Sequence, residues 1–273
     1  MVDIWGRFAE AMTNLLAGKK GLVIGVANDK SIAWGIAKVL AENGASLAFT
    51  YQGDSFGKRV IPLAESLGSN LVFNVDVQHS ESLDLVFSKI QNEWGTMDFL
   101  VHAVAFSEKS ELSGRLINTS RDNFIKSMEI SCYSLIDLSR RSSELMMEGG
   151  TIITLSYLGS QRVTPNYNVM GLAKAALESS VRYLSSDLGS QGIRVNGISP
   201  GPMKTLAGAA ISGARKVYRF AEENSPLQTN ASLESVGGTA LYLISDYGKH
   251  TTGEIIFVDG GYHVMGMARP ENV

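Results

Sequence analysis

The sequence predicts an α/β protein with a single-domain, doubly wound fold on a seven-stranded parallel sheet, and three observations predict it. Short apolar runs alternate with amphipathic helical stretches along nearly the whole chain. The 273 residues are 44% hydrophobic and 19% charged, which is enough apolar material for one large core and requires no second domain. No linker, low-complexity tract or internal repeat divides them.

Residues 1–18 read as an N-terminal extension to a domain at 19–273. Within it Ile4, Trp5, Phe8, Met12, Leu15 and Leu16 fall at roughly helical spacing, fitting either a short amphipathic helix on the body or a partner, or a plain extension. Short apolar runs then mark strands at Leu22–Val26, Ser46–Thr50, Leu71–Val75, Phe99–Val104, Thr151–Leu155, Arg194–Ile198 and Ile255–Val258. Between them, apolar residues at helical spacing predict helices over 32–43, 55–67, 80–94, 119–147, 167–189 and 232–246. Strand–helix–strand order makes the sheet parallel, with right-handed crossovers placing helices on both faces. Residues 199–231 interrupt the alternation with Pro200, Gly201, Pro202, Gly208, Gly213 and Pro226, and read as an irregular substrate-binding insert.

A net charge of −3, without a basic run, gives no long-range attraction for nucleic acid or an anionic membrane surface. Cys132 is the only cysteine and has no disulfide partner; it reads as a core residue. No Cys/His cluster has zinc spacing, so no metal is expected. Nothing approaches the roughly eighteen unbroken apolar residues of a membrane span, and no secretory signal opens the chain. The expectation is a soluble, cytoplasmic protein.

The first strand leads into Gly25-Val26-Ala27-Asn28-Asp29-Lys30-Ser31-Ile32-Ala33-Trp34-Gly35, a strand, a small-residue turn and a helix start in the order a dinucleotide site needs. Helix N–H groups there can hold phosphates, and Ser31 can cap the helix or donate from its hydroxyl. The glycines depart from G-x-G-x-x-G, so an ordinary strand-to-helix turn remains open on local sequence. After the second strand Gln52 stands where an acid usually accepts the adenosine ribose hydroxyls. No basic fork adjoins it to receive a 2′-phosphate, although Lys58 and Arg59 follow on the next helix; this favours NADH over NADPH. Asp76, after the third strand, can accept from the adenine amino group with Val77 against the ring, or merely cap a helix.

Tyr157, Tyr167 and Lys174 follow the fifth strand. Seven residues at about 100° each return close to the starting direction, which places Tyr167 and Lys174 on one helix face, two turns apart. A lysine there can hold ribose hydroxyls and lower the pKa of a phenol, and a tyrosine can donate to an oxygen that becomes negative. A buried tyrosine and a surface lysine sharing a helix by chance is the bland alternative.

With these residues the chain from about 18 to 263 resembles the short-chain dehydrogenase/reductase superfamily, with its Rossmann fold, and specifically the divergent branch of bacterial enoyl-acyl carrier protein reductases. Ordinary members carry Tyr-x3-Lys, but position 171 here is Gly171; the branch carries Tyr-x6-Lys with a further tyrosine ten residues earlier, matching Tyr157. The turn from Gly25 to Gly35 and the segment His102-Ala103-Val104-Ala105-Phe106 match it too.

The resemblance implies NADH-dependent reduction of a trans-2-enoyl thioester on acyl carrier protein, the last step of each fatty-acid elongation cycle, in a homotetramer. It implies that Gly25, Ser31, Ile32, Gln52, Asp76, Val77, Val104 and Lys174 contact NADH, joined by Met203, Lys204, Thr205, Leu206 and Ala207. Tyr157, Tyr167 and Lys174 become the catalytic set, and Ser107, Tyr157, Tyr167, Met203, Leu206 and Ile211 the substrate contacts. Met203, Leu206, Ala209, Ala210 and Ile211 can line an acyl channel or simply pack in the core. Arg162, Lys204, Arg215, Lys216 and Arg219 are candidates for a rim facing the acidic carrier protein. A carbonyl reductase or alcohol dehydrogenase of the same superfamily is the rival enzyme, opposed by the missing Tyr-x3-Lys; a nucleotide sensor without catalysis is the rival from another class.

Overall fold

A computed structural model describes residues 14–209 and 211–272. The residues of the expected N-terminal helix from Ile4 to Met12 lie outside this range. Seven parallel strands form one sheet in the order β3-β2-β1-β4-β5-β6-β7. They are β1 (Lys20–Ile24), β2 (Ser46–Tyr51), β3 (Val72–Asn74), β4 (Phe99–His102), β5 (Gly150–Leu155), β6 (Ile193–Pro200) and β7 (Ile255–Val258). All seven predicted strands are present, with β1 displaced toward the N-terminus because the chain leaves the sheet at Gly25 rather than after Val26.

Alternation along the strands divides the core between the two faces. Leu22 and Ile24 of β1 point to one face with Leu83, Ile90, Leu135, Leu138, Leu177 and Val181. Val23 points to the other, with Ile36, Leu40, Val60, Val236 and Leu243. The first face is covered by α3 (Ser80–Trp94), α5 (Ser134–Ser143) and α6 (Val169–Leu188), the second by α1 (Ile32–Glu42), α2 (Asp54–Ser66) and α8 (Leu233–Ile244). Leu16, in the stretch read as an extension, is buried in the second core, and its amide donates to the Asn43 carbonyl at 2.8 Å.

Two expectations need correction. The helix expected over 119–147 is α4 (Arg121–Met128), a π-helical turn at Glu129–Tyr133, and α5. Ser120 caps α4 by accepting from the Asn123 amide at 3.2 Å, and the π turn adds a residue that apolar periodicity does not reveal. The insert, expected to be irregular, contains a short helix at Leu206–Ala209 and an amphipathic helix α7 (Ala214–Asn224), which buries Ala221 and Asn224 while exposing Arg215, Lys216 and Arg219. Among the described residues, no helix is long and apolar enough to cross a membrane.

Candidate active site

Successive crossovers run from β1 outward to β3 and then return to β4 beside β1, so the connections diverge at the C-terminal ends of β1 and β4. Ligands of doubly wound sheets bind at such a point. Gly25 lies there with φ 103°, and a Cβ on it would stand 2.1 Å from the Ala103 carbonyl oxygen. Only glycine fits this turn without displacing backbone. The turn opens α1, whose first amides at Ile32 and Ala33 have no acceptor within the helix, the arrangement that can hold a phosphate. These residues fit a dinucleotide.

Ser31 occupies the N-cap position of α1, but its side chain does not cap the helix. Its hydroxyl accepts from the Ala27 and Asn28 amides, both at 3.2 Å, and donates to the Asn28 carbonyl. Short-range turn geometry thus wins over the capping expected from sequence, leaving the α1 amides unoccupied by protein. Gly35, counted among the turn glycines, admits Leu233 of α8, whose Cβ would lie 2.6 Å from an added methyl. Its place is helix packing.

Gln52 and Asp76 are brought together across the ends of β2 and β3, Gln52 Nε2 donating to Asp76 Oδ2 at 2.9 Å. Asp76 Oδ1 accepts from the Gln78 amide at 3.0 Å, and His79, not Asp76, is the N-cap residue of α3. Val77 and Val104 are half-buried against the first core and Ile32 against the second. Lys58 and Arg59 are exposed on α2.

Beyond β5, Tyr167 is buried and Tyr157 half-buried, their rings meeting edge to face at a centroid distance of 5.0 Å. Leu112, Met170 and Ile211 complete the apolar box. Gly159, in the 3-10 turn Leu158–Ser160, makes the pair possible: a Cβ there would fall 2.4 Å from the Tyr167 ring and 3.3 Å from that of Tyr157.

The helical-face argument for Tyr167 and Lys174 is corrected, because α6 begins at Val169 and Tyr167 lies in the turn before it. Asn166 and Asn168 flank it with φ of 61° and 39°, so the backbone reverses locally instead of winding as helix. Lys174 is on α6, buried, and its Nζ donates to the Leu155 carbonyl at the end of β5 at 2.6 Å.

Burial controls the protons. Burial first, then the charges of Tyr157 and Glu178, pushes the Tyr167 phenol well above its ordinary range. Burial likewise pushes Tyr157 up to about 12. Lys174 is lowered to about 8 by burial, partly opposed by Cys132 and Glu178. Lys174 is not among the groups that shift Tyr167, and burial keeps that phenol a protonated donor. His102, bonded to Thr154 Oγ1 and Ser134 Oγ at 2.8 Å each, is held neutral at about 3 by burial and by the nearby lysine. Cys132 is buried as expected, with Sγ 3.5 Å from Ser180 Oγ.

The insert bends over this end. Ile211 joins the tyrosine box, and Asn166 Nδ2 donates to the Ser212 carbonyl at 2.9 Å. Met203 instead packs against the second core, and Leu206 is exposed at 47%, so these two do not join the tyrosines. Thr205 Oγ1 accepts from the Gly208 amide at 3.0 Å. The side chain of Ala207 and all of Ala210 lie outside the described residues. A cavity of about 200 Å³ lies beside this segment, lined by Lys30, Met203, Lys204, Thr205, Tyr218 and Leu233 among others, toward the α1 turn rather than the tyrosines. Lys204 Nζ sits over the Tyr218 ring at 4.4 Å.

Ser107 is tied to Asn123, whose Nδ2 donates to its hydroxyl at 3.2 Å. Sequence reasoning passed over this buried asparagine, which also accepts from the Glu108 amide at 2.9 Å. It passed over Glu178 too. That carboxylate is 5% exposed and lies one turn after Lys174; an acid among Leu177, Val181 and Leu184 was the available signal.

A glycine turn suited to a dinucleotide at the ends of β1 and β4, with two tyrosines and a buried lysine beyond β5, fits an oxidoreductase domain of the short-chain dehydrogenase/reductase type. The chain belongs to the enoyl-acyl carrier protein reductase family, whose model, described as Enoyl-(Acyl carrier protein) reductase, matches residues 25–263. It is 56% identical over 256 residues to an enoyl-[acyl-carrier-protein] reductase [NADH] 2 of Rhizobium meliloti, covering 94% of this chain and 96% of that one. A crystal structure of the Anaplasma phagocytophilum reductase in complex with NAD superposes with a TM-score of 0.91 at 55% identity, covering 94% and 98% of the two chains. The Bacillus cereus enoyl-acyl carrier protein reductase, solved with NADP+ and indole naphthyridinone, also gives 0.91, at 46% identity and coverage of 93% and 100%.

Proposed function

We propose that the protein reduces the trans-2 double bond of an enoyl thioester carried on acyl carrier protein, using NADH, as the last step of each cycle of fatty-acid elongation. The observation that carries this reading is the edge-to-face pair of half-buried Tyr157 and buried Tyr167 in an apolar box beyond β5, with Lys174 buried and bonded to the end of that strand. When bound, NADH supplies the hydride that is added at C3. Gly25, Ser31, Ile32, Gln52, Asp76, Val77, Val104 and Lys174 are the residues we assign to hold it, with Met203, Lys204, Thr205, Leu206 and Ala207 along the insert.

Tyr167, still protonated at neutral pH, would donate a hydrogen bond from its hydroxyl to the thioester oxygen as that oxygen becomes an enolate, and a proton taken up from solvent at C2 completes the reduction. A buried, neutral donor suits this role because its hydrogen bond strengthens as charge develops. Lys174, with a pKa near 8, is largely an ammonium at pH 7 and positions ribose hydroxyls. Tyr157, Ile211 and Ser107 are assigned to the acyl substrate; Met203 and Leu206, which stand apart from the tyrosines, are assigned to the cofactor alone. Gln52 offers an amide where a 2′-phosphate would need a guanidinium, which supports NADH over NADPH.

We further assign the catalytic domain to 19–273 with residues 1–18 as its extension, cytoplasmic residence, and a homotetramer supported by the exposed Ile136, Leu172 and Tyr183 on α5 and α6. Arg215, Lys216 and Arg219 on α7 are the rim offered to the carrier protein. The test is loss of NADH absorbance with a trans-2-enoyl-acyl carrier protein, beside NADPH and a 3-ketoacyl thioester. Rapid enoyl reduction with NADH is expected; ketone reduction alone overturns the reading. Tyr167→Phe should chiefly lower kcat, and Lys174→Ala should chiefly weaken NADH binding.

A further inference from the structure

Glu178 is a buried acid without an ion-pair partner within 4.0 Å among the described residues. Burying a charge is expensive, and packing alone would be served better by leucine or glutamine at this position. Its oxygens are instead occupied by one short segment. Oε1 accepts from Ser156 Oγ and Ser160 Oγ, both at 2.5 Å, and Oε2 accepts from Gln161 Nε2 at 3.3 Å. These donors bracket Tyr157, Leu158 and Gly159, the turn on which the tyrosine pair rests.

We propose that Glu178 is a positioning residue for the reduction, clamping the 156–161 turn so that Gly159 receives the Tyr167 ring and Tyr157 stays against its edge. The clamp works from behind, without touching substrate or cofactor. Gly159 couples it to the chemistry twice: its missing Cβ admits the Tyr167 ring, and its carbonyl oxygen lies 2.9 Å from where a Cβ of Gly171 would stand on α6. A slack turn would separate the two rings and shift the donor hydroxyl, and misplacement by about 1 Å is enough for a large loss of rate.

The same carboxylate is the negative charge beneath both functional groups. Lys174 is faced by His102 of β4, Cys132 of the π turn and Glu178 of its own helix; Tyr167 is faced by Tyr157 and Glu178. His102 and Tyr157 are neutral at pH 7. Glu178 raises the proton affinity of both Lys174 and Tyr167, so its neutralisation must lower both.

This inference rests on the proposed roles of Tyr167 and Lys174, and it is tested with Glu178→Gln, Glu178→Asp and Ser160→Ala. Glutamine can keep both serine hydrogen bonds through its carbonyl oxygen, and the Gln161 contact once that side-chain amide turns over, but removes the charge; aspartate keeps the charge but is one methylene short. Enoyl reduction and NADH affinity, the latter by protein fluorescence, are followed from pH 6 to 10. For Glu178→Gln, the alkaline fall in NADH affinity and turnover should move at least about half a pH unit downward. For Glu178→Asp, it should stay in place while kcat falls about tenfold or more. Ser160→Ala, which leaves the buried acid intact and guards against a glutamine variant that does not fold, should lower kcat several-fold without a downward shift. An alkaline limb unmoved in folded Glu178→Gln, or wild-type kcat in Glu178→Asp and Ser160→Ala, overturns the proposal. The NADH titration requires no enoyl substrate, so failure of the wild type to reduce one would refute the functional reading separately.

Discussion

Replacing Gly159 by alanine tests whether the tyrosine pair is held in a working geometry. The added Cβ would lie 2.4 Å from one Tyr167 ring carbon and 2.7 Å from the next, against ordinary contact beginning near 3.4 Å. The ring must withdraw by about 1 Å, while Leu112, Met170 and Ile211 close the box and the Tyr157 ring stands 3.3 Å from the same Cβ. Overpacking of this kind costs about 1–3 kcal/mol of stability. Displacing a group that must meet a reacting oxygen within hydrogen-bond reach costs about 100-fold in rate. Steady-state kinetics at saturating NADH should show the loss in kcat, and thermal unfolding should show a folded protein with a lowered midpoint. Gly189→Ala is the control, because its φ of −59° is helical and nothing lies within 4 Å of the new methyl. A folded Gly159→Ala enzyme with kcat within twofold of wild type would refute the reasoning.

Lys174 should make stability depend on pH in a defined direction. Its folded pKa of about 8 lies below the ordinary 10.5, so between these values the unfolded chain binds more protons and stability rises with pH. Denaturant unfolding of wild type minus Lys174→Met should increase by about 1 kcal/mol from pH 7 to 9; a flat difference would contradict the burial argument. Gly238→Ala, inside α8 with open space around the new methyl, should raise stability by about 0.5–1 kcal/mol and leave kinetics unchanged in the same assays. Proteolysis within 205–215 should slow when NADH and a substrate analogue are added together; cleavage indifferent to both would count against a lid.

The sheet was legible because each strand is a short apolar run between helical stretches, and the spacing alone places every one of the seven. Less legible were features set by competition between neighbouring hydrogen bonds. Ser31 reads as a cap, yet closes its own turn on Ala27 and Asn28; Gln52 and Asp76, separated in sequence, meet only once β2 and β3 pair. The π turn at Glu129–Tyr133 preserves an apolar stripe while adding a residue, so periodicity runs through it. Glu178 was invisible as a partner because its three donors come from a different segment, beyond β5.

The Tyr167–Lys174 spacing shows why a correct pairing can rest on the wrong geometry. Continuous helix would place the two side chains on one face by angle alone, but here Tyr167 stands outside the helix, between two asparagines with positive φ. Both asparagines spend their amides on neighbouring backbone: Asn166 on Ser212, Asn168 on Glu111 and Gly114. The reversal therefore does two things at once. It turns the Tyr167 ring back onto Gly159, and it ties the catalytic turn to the insert on one side and to the 108–114 segment on the other. The longer spacing therefore places Tyr167 in a turn that is hydrogen-bonded both to the insert and to the 108–114 segment.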